Sequence, residues 1–277
     1  MIKTLLQLLS RGIATQQECF PALPKYSRGL PGLTSAPCAG CDACAEICPT
    51  RAITVTNSPD GVDVALDRGF CITCGLCVDA CPTGTITSDR ETRVAAVRRE
   101  DLILTTTGLN SQGAPHGSRS SAVQSDDAPF RRSIHLRVVS TGDSASDLEV
   151  AAANNAIFDA SRFGIHFVAS PRFADGLIVT GPVPRAMQEP LRRCYEAMAR
   201  PRLVIAVGAS AITGGIHRGG YAAANGVDSI LPVAVYIPGS PPHPWNILHG
   251  ILLAMQSPLA KSRSSTPVDR GRWTGRS

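Results

Sequence analysis

The sequence predicts two units of different class, a small α+β unit in front and a larger α/β unit with a parallel sheet behind. Three observations predict this. A cysteine-rich block at 38–82 repeats itself, a stretch rich in Gly, Ser and Pro at 105–132 lacks any apolar period, and short apolar runs beyond it alternate with helical patterns. The 277 residues suffice for one or two domains with real cores. Apolar residues make up 43% and charged ones 18%, which excludes a wholly disordered or collagen-like chain. No apolar run reaches the ~18 residues of a spanning helix. The formal charge of +5 is diffuse and has few aromatics beside it, so nucleic acid is not an expected partner.

Residues 1–20 open with Ile2, Leu5, Leu6, Leu9 and Ile13 at helical spacing, with Lys3 and Arg11 off that face. An amphipathic helix over 2–13 is expected, its apolar face suited either to the protein's own core or to a membrane or partner surface. It lacks a small-residue cleavage site and does not read as a secretory signal. Residues 21–100 carry eight of the ten cysteines in two runs. Cys38, Cys41, Cys44 and Cys48 precede Pro49, and Cys71, Cys74, Cys77 and Cys81 precede Pro82. Each run reads C-x2-C-x2-C-x3-C-P, the second lies 33 residues after the first, and CPTRAIT is answered by CPTGTIT.

That spacing has a chemical reason. Three thiolates on one winding loop reach three corners of an iron–sulfur cube, and the fourth Cys of the run ligates the other cube. The expected sets are Cys38, Cys41, Cys44 and Cys81 for one [4Fe–4S] cluster and Cys71, Cys74, Cys77 and Cys48 for the second. Small residues between them (Ala39, Gly40, Ala43, Gly75) let backbone amides approach sulfur. Structural zinc favours two separated C-x2-C pairs, and disulfides need an oxidising compartment that nothing here indicates. Cys19 and Cys194 fall outside the pattern and read as plain thiols. Residues 52–56 and 62–66, joined by NSPDG, read as a hairpin between the cluster loops. The front unit is thus expected to be a two-[4Fe–4S] ferredoxin domain, followed by a linker over 101–132.

The rear unit is placed at 133–258. Strands are expected at 134–139, 165–168, 176–181, 202–208 and 233–239, and helices at 146–160, 184–199 and 244–255. The expected class is α/β, doubly wound and flavodoxin-like, with ligands beyond the carboxyl ends of the strands. Residues 259–277 read as a disordered basic tail. His166 stands in a strand and serves equally as a core histidine; His217, His243 and His249 are weak candidates for a metal site because nothing fixes their mutual geometry. No hydrolase motif appears: the stretch at Gly208-Ala209-Ser210-Ala211 lacks the closing Gly of G-x-S-x-G. No catalytic residue is therefore assigned.

The run RFGIHFVASPRFADGLIVTGPVPRAM, then VGASAITGG and VYIPGSPP, resembles the small electron-transfer subunit of energy-converting hydrogenases such as formate hydrogenlyase and hydrogenase-4, kin to the 20 kDa subunit of complex I. The cysteine-rich half is similar to the two-cluster ferredoxin-like subunit of the same complexes, so the chain looks like a fusion of the two. The resemblance implies one further cluster in the rear unit, held by four cysteines. Their places are taken here by Asp143, Ser146, Ser210 and Ser240, which implies a fold kept without that cluster. Arg172 and Arg185 match the family's basic rim.

The resemblance further implies an iron–sulfur electron-transfer subunit that itself cleaves no substrate. Its partners would be a hydrogenase-like or complex I-like large subunit, membrane-arm subunits and a redox donor or acceptor protein. Its place would be peripheral, on the cytoplasmic face of the inner membrane. The rear unit would serve as a scaffold or as a cleft put to another use. A soluble ferredoxin with an appended binding domain, or a structural or assembly subunit, remains the alternative.

Overall fold

The structure is a computed structural model that describes residues 3–4, 18–59, 61–108, 130–142 and 145–261. Of the helix expected over 2–13, only Lys3 and Thr4 are described, and both are helical and exposed; the rest lies outside the described residues, as do 109–129 of the linker and the tail beyond Lys261.

The front half carries two small antiparallel sheets. β1 (Leu30–Leu33) pairs with β4 (Ile86–Asp89). The expected hairpin forms as β2 (Ile53–Ser58) and β3 (Gly61–Asp67), in register from Ile53 opposite Leu66 to Ser58 opposite Gly61. A third strand, β5 (Ile103–Thr105), joins β3. It lies in the segment read as linker; Leu104 is buried there among Val64, Leu66, Ile53 and Ile86, and that burial holds the segment to the sheet. Two short helices, α1 (Ala43–Glu46) and α2 (Leu76–Ala80), carry Cys44 and Cys77 into the same core.

The rear half is one five-stranded, all-parallel sheet of β6 (Ile134–Ser140), β7 (Ile165–Phe167), β8 (Gly176–Thr180), β9 (Leu203–Val207) and β10 (Val235–Ile237), in the spatial order β10-β9-β8-β6-β7. Alternate residues feed opposite faces. Ile178, Ile205 and Val207 face one core, and Leu177, Val179, Val204 and Ala206 the other. Four helices follow: α3 (Ser146–Ala152), α4 (Arg185–Glu196), α5 (Ala209–Thr213) and α6 (Pro244–Ala254). α3 stops well short of residue 160. The Asn155 side-chain oxygen accepts from the amides of Ile157 and Phe158, a local turn that competes with further helix. No described helix is long and apolar enough to cross a membrane.

The two halves pack as one body. Ala96 exchanges both backbone hydrogen bonds with Tyr236 (2.9 and 2.8 Å), so the front chain adds an antiparallel segment to the edge strand β10. Ala95 then enters one rear core and Ala96 the other, with Leu102 joining the second. Phe20 reaches the first core as well, its ring edge-on to Trp245 and to His249. α6 sits so close to β10 that a Cβ on Gly250 would come within 2.4 Å of Ile237 and 3.2 Å of Ala95.

His249 is 5% exposed, and its Nδ1 has no partner among the described residues. Burial, helped by Arg93, lowers its pKa to about 4 from the ordinary 6.5. The unfolded chain therefore takes up a proton on His249 that the folded chain refuses. The neutral form's contribution is complete above pH 6.5 and is lost as pH falls from 6.5 towards 4. Below 6.5 the loss approaches about 1.4 kcal/mol per pH unit. Urea unfolding at pH 7.5 and 5.5 is expected to show a larger acid-induced loss in the wild type than in His249→Leu.

Candidate iron–sulfur sites and the end of the rear sheet

Each cysteine run winds into its short helix through left-handed backbone positions that recur at the same offset as the cysteines. They are Gly40 and Thr73 (φ 68° and 56°), Asp42 and Gly75 (53° and 81°), and Arg51 and Gly84 (53° and 70°). These turns bring amides to sulfur. Gly40 N donates to Cys38 Sγ (3.5 Å) and Thr73 N to Cys71 Sγ (3.3 Å). Ala52 N donates to Cys48 Sγ (3.2 Å) and Ile86 N to Cys81 Sγ (3.5 Å). The hydroxyls of Thr50 and Thr83, one repeat apart, lie 3.7 and 3.8 Å from the sulfurs of Cys48 and Cys81.

Cys38, Cys41, Cys44 and Cys81 line one hollow of about 300 Å³ including its open mouth, with Ala39, Asp42 and Thr83 among its walls. Cys48, Cys71, Cys74 and Cys77 line a second of about 310 Å³, with Pro31, Thr50 and Gly75. The fourth cysteine of each run has thus crossed to the other run's hollow. Among the described residues, no three His, Cys, Asp or Glu side chains converge as a single metal ion requires. Four thiols spaced around a hollow, with amides aimed at their sulfurs, fit a many-atom iron–sulfur cluster instead.

Three of these thiols, Cys44, Cys71 and Cys77, resist ionisation. Burial pushes Cys71 up to about 12. Burial, and then the charges of Cys48 and Cys74, push Cys77 up to about 11. Cys44 rises through burial and the charges of Cys38 and Cys81. Cys81 goes the other way: burial opposes the shift, but the Ile86 amide and the Thr83 hydroxyl and amide together outweigh it. A positively charged iron–sulfur core, held by these thiols, would offset both the repulsion and the burial cost. Cys19 and Cys194, packed against the two rear cores, are raised by burial.

The second hollow adjoins the rear sheet's carboxyl end. Thr73 Oγ1, between Cys71 and Cys74, donates to the Ser240 carbonyl (3.1 Å). Thr213 Oγ1 donates to the Gly69 carbonyl (3.1 Å), and the Arg218 guanidinium stacks 4.3 Å from the centre of the Phe70 ring. At that end Gly208 N donates to the Ile237 carbonyl and Ala209 N to the Gly239 carbonyl, joining the loops after β9 and β10. Ser146, at the start of α3, is 1% exposed and so close that a Cβ on Gly208 would meet its Oγ at 2.5 Å.

The stretch 37–97 matches the model of the 4Fe-4S dicluster domain, and 144–254 that of the NADH ubiquinone oxidoreductase 20 kDa subunit. A NADH-quinone oxidoreductase subunit of Rhizobium etli is 40% identical over 143 residues, covering 51% of this chain and 84% of that one. The chain belongs to the NADH ubiquinone oxidoreductase 20 kDa subunit family. Other relatives in the family are named for hydrogen metabolism. Formate hydrogenlyase subunit 7 of Escherichia coli is 42% identical over 46% of this chain and 50% of its own. A probable membrane-bound hydrogenase subunit of Pyrococcus furiosus is 39% identical over 45% of this chain and 75% of its own.

Of the four positions that the family resemblance singled out, the structure brings Ser146 beside Gly208, and with it the loops bearing Ser210 and Ser240, to one end of the sheet. Ser210 and Ser240 are half-buried; Asp143 lies outside the described residues. Arg172 and Arg185 are exposed. The histidines do not gather. His243 caps α6, its Nδ1 accepting from the Trp245 amide (3.2 Å), and His217 ends a single helical turn elsewhere. His166 is exposed on edge strand β7 and stacks on His135 at 5.2 Å, so it is no core histidine. The sequence reading missed Arg28, whose guanidinium donates to the Cys74 carbonyl across 46 residues of chain; no spacing rule could have found it.

Gly208 has φ 90° and ψ 156°, backbone that side-chain-bearing residues avoid, and Ser146 fills the space a Cβ would need. Gly208→Ala is expected to lower stability by about 1–3 kcal/mol, read as a shifted urea midpoint.

Proposed function

We propose that this protein is an iron–sulfur electron-transfer subunit of a membrane-associated assembly of the complex I or energy-converting hydrogenase kind. In this reading Cys38, Cys41, Cys44 and Cys81 hold one [4Fe–4S] cluster and Cys71, Cys74, Cys77 and Cys48 the second. When bound, the clusters supply one-electron, outer-sphere redox chemistry. The chain's own side chains do the rest. Cysteines ligate, amides of the left-handed turns stabilise the sulfurs, and buried apolar neighbours such as Leu66 and Ile86 keep water from the core beneath. The observation that carries the reading is the crossing of each fourth cysteine into the opposite run's hollow. Disulfides or separate zinc sites would not need it.

The rear half is read as a doubly wound, flavodoxin-like domain. Its strand order supports this, since renumbered along its own chain it runs 2-1-3-4-5. Ser146, Ser210 and Ser240 offer hydroxyls where the family resemblance implies thiolates, and neutral hydroxyls are poor iron ligands. The rear half therefore carries no cluster and serves to dock a hydrogenase-like or complex I-like large subunit. A membrane-peripheral position on the cytoplasmic face, against membrane-arm subunits, goes with that role. The names of the relatives support it.

The purified chain, handled without oxygen, is expected to contain about eight irons and as many acid-labile sulfides. Cys44→Ala is expected to halve both while the rear fold stays intact by near-ultraviolet circular dichroism. About twelve irons would defeat the empty rear site, and zinc in place of iron would defeat the whole assignment.

A further inference from the structure

The two hollows are built by a repeat, so charges at matching repeat positions cancel in any comparison between them, and only unmatched ones distinguish the two. Glu46 and Asp79, one repeat apart, cancel. Arg68, near the second hollow, is neutralised by its ion pair with Asp89. Three differences do not cancel. Asp42 lines the first hollow, and its counterpart at the second is Gly75. Arg28 lies across Gly75, its Cδ 3.4 Å from where a Cβ would stand, and donates to the carbonyl of Cys74. Arg51, on the turn after Cys48 at the second hollow, is matched at the first by Gly84. Each of the three makes the second hollow more positive than the first. Arg218, stacked on Phe70 just before Cys71, adds to the same side.

Resting on the two-cluster reading, we propose that Asp42 and Arg28 set the clusters apart in potential. The cluster of Cys71, Cys74, Cys77 and Cys48 is then the better electron acceptor. A positive charge nearby stabilises the reduced cluster and a negative one destabilises it. One electron passes from the reduced first cluster to the oxidised second. The first returns to its oxidised level, and no bond or proton moves. The electron comes to rest at the hollow seated on the rear half, where Thr73 meets Ser240, and not at the one whose Cys41 is exposed to solvent. Arg28 and Asp42 are positioning residues in this scheme: they touch the ligand loops and carry no electron themselves.

The test is a mediated dithionite titration of the full chain, followed by electron paramagnetic resonance after its iron content has been measured. Two separate midpoints are expected. Arg28→Gln should lower only the upper one and Arg28→Lys should leave it near the wild-type value. Asp42→Asn should raise only the lower one. Each charge removal should change the electron's distribution between the clusters by about three- to tenfold, a tenfold change being about 59 mV. If Arg28→Gln loses its cluster, Asp42→Asn decides alone. Coincident midpoints, variants that move neither midpoint, or Arg28→Gln moving the lower one would overturn the proposal. A chain lacking two reducible clusters overturns the underlying reading and this proposal with it; two clusters indifferent to these charges overturn this proposal only.

Discussion

A cysteine sulfur turned into the fold needs hydrogen-bond partners, and in the front half backbone amides supply them, joined by the Thr50 and Thr83 hydroxyls beside Cys48 and Cys81. This requirement governs the local structure. An amide can turn inward to a sulfur two residues before it only where the backbone bends tightly, as at Gly40 and Thr73. Left-handed conformations follow at three positions per run. Glycine holds three of the six, Gly40, Gly75 and Gly84, and Thr73, Asp42 and Arg51 take the strain at the other three. A residue with a side chain is destabilised in that conformation, typically by about 1 kcal/mol or more. Its persistence at matching places in both runs marks the geometry as required by the loop and not as an accident of one turn.

From that constraint the packing can be followed outward. The cysteine loops are too short to bury themselves, so Cys44 and Cys77 enter a core shared with β2, β3 and β4, while Cys71 packs with Leu30, Ala52 and Val94. Val94 leads into the Ala95–Ala96 segment that completes the rear sheet's edge, and Ala96 pairs with Tyr236 there. A continuous path of contacts therefore runs from the second hollow to both cores of the rear half. The alternating residues of that one short segment feed opposite faces of the same sheet.

Much of this was legible in the sequence, and the reasons differ by element. The cysteine grouping could be read because thiolate spacing is a direct chemical instruction, and the 33-residue repeat duplicated it. The five rear strands could be read because both faces of a parallel sheet are covered, which makes each strand a nearly continuous apolar run. β1, with Pro31 and Gly32, and β5, three residues long, lacked any such period and emerge only through pairing. The end of α3 was misplaced because Asn155 diverts the chain by a side-chain bond that apolar periodicity does not register. The Gly- and Ser-rich segment suggested independent halves; what joins them is contributed by Phe20, Ala95 and Ala96, small or isolated residues that carry no pattern.

The seat of the front half on the rear sheet also accounts for how side chains at that end could change without unseating it. Thr73 bonds to the carbonyl of residue 240 and Thr213 to the carbonyl of residue 69, and a carbonyl is the same whichever side chain the residue bears. Backbone amides of Gly208 and Ala209 hold the neighbouring loops together in the same indifferent way. Exchanging a thiol for a hydroxyl at 146, 210 or 240 leaves every one of these bonds in place. Ser146 is buried at this end, its hydroxyl occupying the space that a Cβ on Gly208 would need. The attachment of the front half at this end thus rests on main-chain atoms and is indifferent to the side chains borne at 146, 210 and 240.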